Sequence, residues 1–575
     1  MAIELPKKQA VVVGVGWAGG IIASELTKAG IEVIGLERGG ERTPDDFIMQ
    51  KDELRYALDH ELMQDLSRET QTIRNTTDMT ALPMRQLGSY LLGTDVGGAG
   101  IHWNGQAPRF FPYDFQIQTM TLEQYGEGKV DEDITIQDWG ITYEEIEPYY
   151  TKWEKMAGIS GEQNEMTPEM SEEYPTPPMK ESPAIRLFKE ASSELGLHPH
   201  QRPSANLSEN YTNPDGQTIY QCQYCSFCER FGCDYQAKSD PLITVIPTAL
   251  KTGNFEIKTH ANVREIGHED GVATGVYYID GTDDQEYFQP ADIVIITTYV
   301  MNNTRLLLQS GIGQPYDPET EEGVVGKHYC YQIISGADGF FEDKKFNLYA
   351  GAGALGGGVE DYNADNFDHS DLDFIHGGVL GLHQTGNRPI DTNPVPEGTK
   401  SWGKEFKEAS THYFYRQLHI QSQGASLPYR YNYLDLDPTY TDENGDPLLR
   451  VTYNFTDQDR NLAKYQAERA MEIMEQMGAD IVEEVNHATG DYDIVPYQTT
   501  HNTGGTIMGA SSETSVVNNY SQVWDCENLF VAGASTFSHN GGNNPTPTVA
   551  ALAYRAAEGI LDYIDDPRQL VVDGN

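Results

Sequence analysis

Four cysteines fall close together in the middle of this chain, in the stretch CQYCSFCERFGC. These are Cys222, Cys225, Cys228 and Cys233. Concentrated thiolates are soft ligands for metals. Zinc sites usually combine two CxxC pairs from separate loops, whereas a continuous CxxCxxC run favours an iron–sulfur cluster. The spacing therefore predicts an iron–sulfur centre, with zinc as the alternative and a disulfide as a third interpretation.

A second set of chemically active side chains lies towards the C-terminal end. His501 precedes a glycine-rich turn in HNTGGTIMG, and Asn544 stands in the pattern NNPTPT. A histidine that titrates near neutrality can take the proton of an alcohol, and an amide can hydrogen-bond the same hydroxyl. From these residues alone, a structural loop histidine is the competing interpretation.

Such side chains need a cofactor and elements that position it, and the N-terminus carries a suitable pattern. Residues 10–13 read as a buried strand, residues 14–19 (GVGWAG) as a tight turn, residues 21–29 as a helix and residues 31–36 as a second strand. A strand, turn, helix and strand in this order, with an acidic residue after the second strand, predict a dinucleotide-binding unit.

Each residue of this fingerprint has a physical role. Gly14 permits the turn, Gly16 lets the backbone approach a pyrophosphate, and Gly19 allows close packing of the helix. Glu37 ends the second strand and is placed to accept hydrogen bonds from a ribose. A second glycine-rich stretch at residues 97–105, GGAGIHWNG, offers another loop that can lie against a large cofactor, or an ordinary flexible loop.

Four separated motifs together resemble the glucose-methanol-choline (GMC) family of flavin oxidoreductases. They are NTRLLLQSG at 303–311, HNTGGTIMG at 501–509, NLFVAGAS at 528–535 and NNPTPT at 543–548. Within that family the chain resembles the large FAD and iron–sulfur subunits of bacterial dehydrogenases that oxidise gluconate, other sugar acids, polyols or glycosides. Those subunits carry a cysteine-rich insertion.

The resemblance implies FAD as cofactor, His501 as catalytic base and Asn544 as its partner. It implies that the four cysteines hold an iron–sulfur cluster, for which it favours the three-iron form and leaves a four-iron cubane open. In some members, a histidine at the position of His102 bonds covalently to the flavin, and the sequence leaves this open. The cofactor contacts it implies are Gly14, Gly16, Gly19, Glu37, Gly98, His102, Asn104, Gly533, Ala534 and Thr546.

The implied reaction is hydride transfer from a carbinol carbon of a sugar, sugar acid, polyol or glycoside to the flavin. Electrons would then pass through the cluster to a cytochrome c-type or quinone-linked partner. An oxidase that uses oxygen directly is the alternative, although it needs no such electron exit. A lyase with a structural FAD and a zinc site is a third candidate.

The implied fold is an α/β, Rossmann-like FAD-binding domain with a substrate-binding domain built on an antiparallel sheet. Apolar and polar residues alternate over residues 417–421, as in a half-exposed strand. The predicted boundaries are 1–110, 255–323 and 498–575 for the discontinuous FAD domain, 111–254 for an insertion with the cysteine loop at 222–233, and 324–497 for the substrate domain.

Composition limits the partners. Asp and Glu number 88 against 39 Lys and Arg, a net charge of −49, which excludes nucleic acid as a direct partner. No apolar run reaches the roughly 18 residues of a membrane span. Lys7, Lys8 and the following apolar residues resemble a secretory signal, but cleavage there would remove the glycine fingerprint. We therefore expect export together with a small, signal-bearing subunit, as the resemblance implies, with a cytoplasmic location as the alternative.

Overall fold

The computed structural model describes residues 2–47, 61–387 and 392–570. Its α-helices are α1 Trp17–Lys28, α2 Pro112–Phe115, α3 Ile117–Tyr125, α4 Tyr143–Ala157, α5 Pro183–Glu194, α6 Val245–Lys251, α7 Val300–Ser310, α8 Gly403–Tyr413, α9 Asp457–Gln476 and α10 Thr546–Asp565. Short 3-10 turns cover Pro44–Asp46, Gly98–Gly100 and Ala534–Thr536.

The strands fall into three larger sheets and one small hairpin. They are β1 Ile3–Glu4, β2 Lys8–Val13, β3 Val33–Leu36, β4 Thr72–Arg74, β5 Leu82–Pro83, β6 Pro199–Gln201, β7 Tyr211–Thr212, β8 Thr218–Ile219, β9 Phe255–Lys258, β10 Ala261–Glu269, β11 Val272–Asp280, β12 Gln285–Ile296, β13 Ile333–Phe340, β14 Gly356–Val359, β15 Gly378–His383, β16 Gln417–Gly424, β17 Tyr433–Thr441, β18 Pro447–Thr452, β19 Ile481–Asn486, β20 Gln522–Val523 and β21 Cys526–Val531.

The largest sheet has nine strands and contains a parallel region in the order β9-β3-β2-β12-β21. Strands buried on both faces need nearly continuous apolar sequence, and the ends of β2 (AVVV), β3 (VIGL) and β12 (IVII) supply it. The long β12 also pairs antiparallel with β11, which pairs with β10. Helices α1 and α10 pack together beside this sheet.

The second sheet is antiparallel throughout and has six strands in the order β19-β13-β16-β15-β14-β6. Helix α9 covers β13 with an apolar face that includes Leu462, Ala470 and Ile473. A third sheet of four strands, β17-β18-β4-β5, joins early and late parts of the chain. Helix α7 packs against β10 of the first sheet and against β17 and β18 of the third.

The predicted fold class is confirmed, with local differences at element ends. Helix α1 begins at Trp17, earlier than the predicted residue 21, and β3 begins at Val33. The glycines at the start of α1 favour close packing, since a Cβ on Gly20 would lie 2.8 Å from Val245 Cγ2. The domain boundaries stay predictions, and β6, from the predicted insertion, joins the antiparallel sheet. Among the described residues, no helix is long and apolar enough to cross a membrane.

Candidate active site

One deep cleft opens where the parallel strands end. Its walls include residues directly after β2, β3, β12 and β21, and its empty volume is 1920 Å³ with the open mouth included. Ligands of open α/β sheets bind at the carboxyl ends of the strands, where the strand order reverses. The order β3-β2-β12 places such a switch point at β2. This cleft is therefore the candidate cofactor site.

The glycines of the fingerprint give the cleft a backbone surface. Gly14 has φ +89°, and a Cβ there would lie 2.8 Å from Thr297 O, so only glycine fits without strain. A Cβ on Gly16 would have its nearest neighbour 3.8 Å away, at Gly97 O. Gly16 and Gly98 thus face each other across a gap that no side chain fills.

Among the helices that begin in the wall of this cleft are α1 and α10. Helix α1 begins after Gly16 and α10 after Pro545, and neither N-cap residue makes a side-chain capping bond. Neither first turn contains an acidic residue. Free amides and the helix dipole make such ends favourable for phosphate or for a negatively charged ring. Both ends fit a dinucleotide with an isoalloxazine ring, and FAD has these parts.

Glu37 lies at the end of β3, in the wall of the cleft. Its two carboxylate oxygens accept hydrogen bonds from the backbone N–H groups of Val15 and Gly39, each at 3.0 Å. These bonds hold the carboxylate in place, and its remaining lone pairs can accept hydrogen bonds from a ribose. The arrangement fits the role that the sequence predicts for Glu37.

All the predicted cofactor contacts except Gly19 lie in the wall of the cleft. Gly19 lies outside the cleft wall and allows close packing, because a Cβ there would lie 2.1 Å from Gly14 O. The predicted residues that line the cleft are Gly14, Gly16, Glu37, Gly98, His102, Asn104, Gly533, Ala534 and Thr546, together with the predicted catalytic residues His501 and Asn544.

The two predicted catalytic side chains are adjacent. Asn544 Nδ2 lies 3.2 Å from His501 Nε2 in the cleft wall. Asn540 Nδ2 donates to His501 O at 3.0 Å and so fixes the loop that carries the histidine. A hydroxyl at this place could meet an imidazole nitrogen and an amide at once.

The tautomer of His501 follows from its second contact. Gln332 Nε2 donates to the carbonyls of Gly541, at 3.2 Å, and Asn543, at 3.1 Å, so Gln332 Oε1 is the atom that faces His501 Nδ1. A carbonyl oxygen requires a donor, which places the proton of the neutral imidazole on Nδ1. Nε2 is left as a lone-pair acceptor facing Asn544.

Burial, and then the positive charge of Arg202, lower the pKa of His501 to about 3. The imidazole is therefore neutral at ordinary pH and can accept a proton through Nε2. Arg202 itself is fully buried, and its guanidinium reaches Asn544 from behind.

Sequence reasoning missed Gln332 and Arg202. Gln332 is 169 residues from His501, and Arg202 is 342 residues from Asn544. Neither residue stands in a recognisable motif, so no sequence signal could have assigned them to the site.

The cysteine loop lies beside the cleft. Cys222, Cys228 and Cys233 belong to one apolar cluster, in which burial and then the neighbouring cysteines raise the pKa of Cys222. Cys222 Sγ accepts a hydrogen bond from Tyr224 N, and Cys233 Sγ accepts one from Ala237 N, both at 3.4 Å. Burial raises the pKa of Cys228 to about 11, so the thiol is neutral unless a metal displaces its proton.

The backbone joins this loop to the cleft wall. Glu229 and Arg230, directly after Cys228, line the cleft, and Arg230 N donates to His102 O at 2.6 Å. The ammonium of Lys238 donates to Trp103 O and to Cys228 O, at 2.6 and 2.7 Å. The cysteine loop is therefore in direct hydrogen-bond contact with the predicted flavin loop at residues 97–105.

A buried cluster of Asp114, His376 and His539 also has metal-ligating side chains. Trp139 Nε1 donates to His539 Nδ1 at 3.2 Å, which makes Nδ1 an acceptor and places the proton on Nε2. That Nε2 lies 3.2 Å from Asp114 Oδ1, as a hydrogen-bond donor would. The contacts describe a hydrogen-bonded network in preference to a metal site.

A dinucleotide cleft with two uncapped helix ends, next to a histidine and asparagine placed for alcohol chemistry, defines a flavin-dependent alcohol oxidoreductase. Two family models described as GMC oxidoreductase match this chain, over residues 138–333 and 428–553. The gluconate 2-dehydrogenase flavoprotein of Pantoea cypripedii is 40% identical over 99% of this chain and 96% of that protein. This chain belongs to the GMC oxidoreductase family and is an FAD-dependent oxidoreductase that acts on CH–OH groups.

Other relatives match over almost the same length. The 2-methyl-1,2-propanediol dehydrogenase of Mycolicibacterium austroafricanum is 29% identical, over 98% of this chain and 97% of its own. The fructose dehydrogenase large subunit of Gluconobacter japonicus is 26% identical, over 98% and 99%. The solved structure of pyridoxine 4-oxidase from Mesorbium loti has a TM-score of 0.60 at 15% identity and covers 97% of this chain and 99% of that one, which shows the shared fold.

Proposed function

We propose that this protein is a dehydrogenase of sugars or sugar acids that passes electrons from FAD through an iron–sulfur centre to an external partner. The observation that carries the proposed chemistry is the 3.2 Å contact between Asn544 Nδ2 and His501 Nε2 in the cleft wall. The identity to a gluconate 2-dehydrogenase flavoprotein over nearly the whole chain supports the substrate class.

The proposed chemistry assigns one task to each side chain. His501 Nε2 takes the hydroxyl proton of the substrate, because Nδ1 is already the donor to Gln332. Asn544 Nδ2 donates to the hydroxyl oxygen and sets its approach. FAD, when bound, supplies the acceptor for the hydride that leaves the carbinol carbon. General base catalysis of this kind contributes about 100- to 10,000-fold.

The cysteine loop supports the electron exit. Four non-glycine residues within it or beside it have left-handed backbone, namely Tyr224, Ser226, Arg230 and Gln236. Each such residue costs on the order of 1–3 kcal/mol, and a loop keeps this strain only when its surroundings fix it. Amide hydrogen bonds to cysteine sulfurs are also a means of tuning iron–sulfur potentials. The three-iron and four-iron forms, and a zinc ion, are distinguished by metal analysis.

The six cysteines all lie in the described part of the chain, and none of them forms a disulfide there. The loop therefore provides four ligand positions beside the cofactor cleft. We propose it as the route by which electrons leave, since Cys228 is adjacent in sequence to residues of the cleft wall.

We further propose that the protein works with a small partner subunit and a cytochrome c-type acceptor, outside the cytoplasmic membrane. The large-subunit relative supports a multisubunit assembly. Purification from the native cell, with the location of activity measured in each cell fraction, tests both points. A single-chain enzyme confined to the cytoplasm would contradict them.

The test of the proposed function is an anaerobic titration of the purified protein with gluconate, fructose, glucose, a polyol and a glycoside. Iron and acid-labile sulfide are measured on the same sample. We expect one substrate class to bleach the flavin absorbance, and iron to be present in stoichiometric amount. Rapid consumption of oxygen by an iron-free protein would favour the oxidase, and a flavin that no substrate reduces would favour the lyase.

A further inference from the structure

Arg202 lies behind the catalytic pair, directly after β6 of the antiparallel sheet. Its side chain is 0% exposed, and it passes across the glycine-rich strand β14. A Cβ on Gly358 would lie 2.9 Å from Arg202 Cγ and 3.1 Å from Cδ. The backbone at Gly358 thus leaves the space that the arginine stem occupies.

The guanidinium contacts both asparagines of the catalytic loop. Arg202 NH2 donates to Asn543 Oδ1 at 3.1 Å and to Asn544 Oδ1 at 3.3 Å. On its other side, NH1 lies 3.4 Å from Glu360 Oε1. Glu360 is 2% exposed, and its second oxygen accepts a hydrogen bond from Asn363 Nδ2 at 2.7 Å.

A buried ion pair of this kind is weak as a source of stability. Apolar side chains of similar volume usually serve a folded protein equally well or better. The 3.4 Å separation of Arg202 and Glu360 is also longer than a strong charge-assisted hydrogen bond. The shorter contacts of Arg202 run to Asn543 and Asn544 of the catalytic loop.

We propose that Arg202 is a positioning residue for alcohol oxidation. It fixes the amide of Asn544 so that Nδ2 faces His501, and its charge favours the negative oxygen that forms when the substrate hydroxyl loses its proton. This inference rests on the proposed roles of His501 and Asn544.

The geometry supports both parts. Because Asn544 Oδ1 accepts from Arg202, the amide nitrogen of Asn544 is the atom turned towards His501 Nε2. Because the positive charge of Arg202 is already in place in a water-poor site, no dipoles have to reorient when the negative oxygen forms.

The charge environment of His501 is defined by few groups. Arg202 faces it from the position directly after β6, while Gln332, Asn540 and Asn544 contact it with neutral amides. Other ionisable side chains that line the same cleft are Glu37, Arg38, His102, Glu229, Arg230, Tyr299, Arg305 and Tyr497. Arg202 is the charged group whose field lowers the pKa of His501.

The test compares R202K and R202M with the wild type, by anaerobic stopped-flow measurement of flavin reduction over a range of pH. For R202M we expect the reduction rate at saturating substrate to fall about 100-fold. We also expect the acid limb of its pH profile to move to higher pH by about one unit, because a positive neighbour of His501 is lost. R202K should keep the acid limb but still lose rate, since lysine lacks the guanidinium fork.

A double variant, R202M/E360Q, separates positioning from folding. It removes both members of the ion pair, so no buried charge is left without its partner. We expect its melting temperature and FAD content to match the wild type while flavin reduction stays slow. Recovery of the reduction rate together with the FAD content would show that Arg202 is only structural and would overturn the inference.

H501A distinguishes this inference from the proposed function. If H501A is slow and all the Arg202 variants reduce the flavin at the wild-type rate with the wild-type pH profile, Arg202 has no positioning role. If H501A itself reduces the flavin normally, the proposed catalytic pair is wrong and the inference fails with it. Slow H501A with slow, pH-shifted R202M supports both.

Discussion

Asn544 Nδ2 and His501 Nε2 are 3.2 Å apart, on two loops separated by 43 residues of sequence. Each is held by a different partner, Asn544 through Arg202 and His501 through Gln332. The two outer partners fix which atoms face each other, so the amide donates and the imidazole nitrogen accepts. This relationship leads to the first prediction.

Replacing His501 by alanine should lower the rate of flavin reduction by substrate about 100- to 10,000-fold, because the site loses its proton acceptor. Anaerobic stopped-flow absorbance measures this rate. H412A, at an exposed histidine of α8, is the matched control and should reduce the flavin normally. A normal rate in H501A would assign the base to another residue.

Substitutions of two glycines in the fingerprint should have different effects. G16A should fold with an unchanged melting temperature in its FAD-free form but bind FAD poorly, because its methyl group enters the open gap of the cleft. G19A should fail to give soluble protein, since its Cβ would lie 2.1 Å from Gly14 O. FAD content by absorbance and thermal melting measure the two effects.

G490A, where a Cβ meets nothing within 4 Å, is the control for both glycine variants. It should resemble the wild type in yield and FAD content. Full FAD retention by G16A would contradict the assignment of the phosphate-binding turn.

C228S should lower the iron and sulfide content of the purified protein, because the thiolate it replaces is a proposed cluster ligand. Substrate should still bleach the flavin, while electron transfer to an artificial one-electron acceptor slows. C526S removes a cysteine in β21 that is 1% exposed, and should leave the iron content unchanged. Zinc in place of iron would exclude the cluster, whereas iron unaffected by C228S would show that Cys228 is not one of its ligands.

The stability of the protein should fall as the pH drops below about 6.5, the ordinary pKa of histidine. Burial lowers the pKa of His200 to about 3, so this histidine stays neutral in the folded state while the unfolded chain takes up a proton. Each such group removes about 1.4 kcal/mol of unfolding free energy per pH unit in that window. Denaturant unfolding at several pH values measures the slope.

H200Q should weaken this pH dependence by the contribution of one histidine. An identical slope in H200Q and the wild type would show that His200 is protonated in the folded state or does not unfold with the rest.

The dinucleotide-binding unit was predictable because its signals are local. A buried strand, the turn from Gly14 to Gly19 and the acid at Glu37 occur within one short stretch, and each is fixed by backbone geometry. The capping box at the start of α4 is a local feature of the same kind: Thr142 N donates to Glu145 Oε2 at 2.8 Å, and Glu145 N donates to Thr142 Oγ1 at 3.4 Å.

The start of α1 and the residues behind the active site were not predictable in this way. Gly19 and Gly20 are poor helix formers. The helix nevertheless includes them, because a larger side chain at either position would clash with neighbouring elements. The positions of Gln332 and Arg202 depend on how the two sheets pack, which no local pattern encodes.

The absent side chain at Gly358 has a consequence for how this enzyme can change over evolutionary time. Because a Cβ there would lie 2.9 Å from Arg202 Cγ, a larger residue at position 358 would displace the guanidinium and disturb Asn544 without touching the cleft. We therefore expect Arg202 and Gly358 to covary. We expect sequences that lose one of them to have lost the other as well.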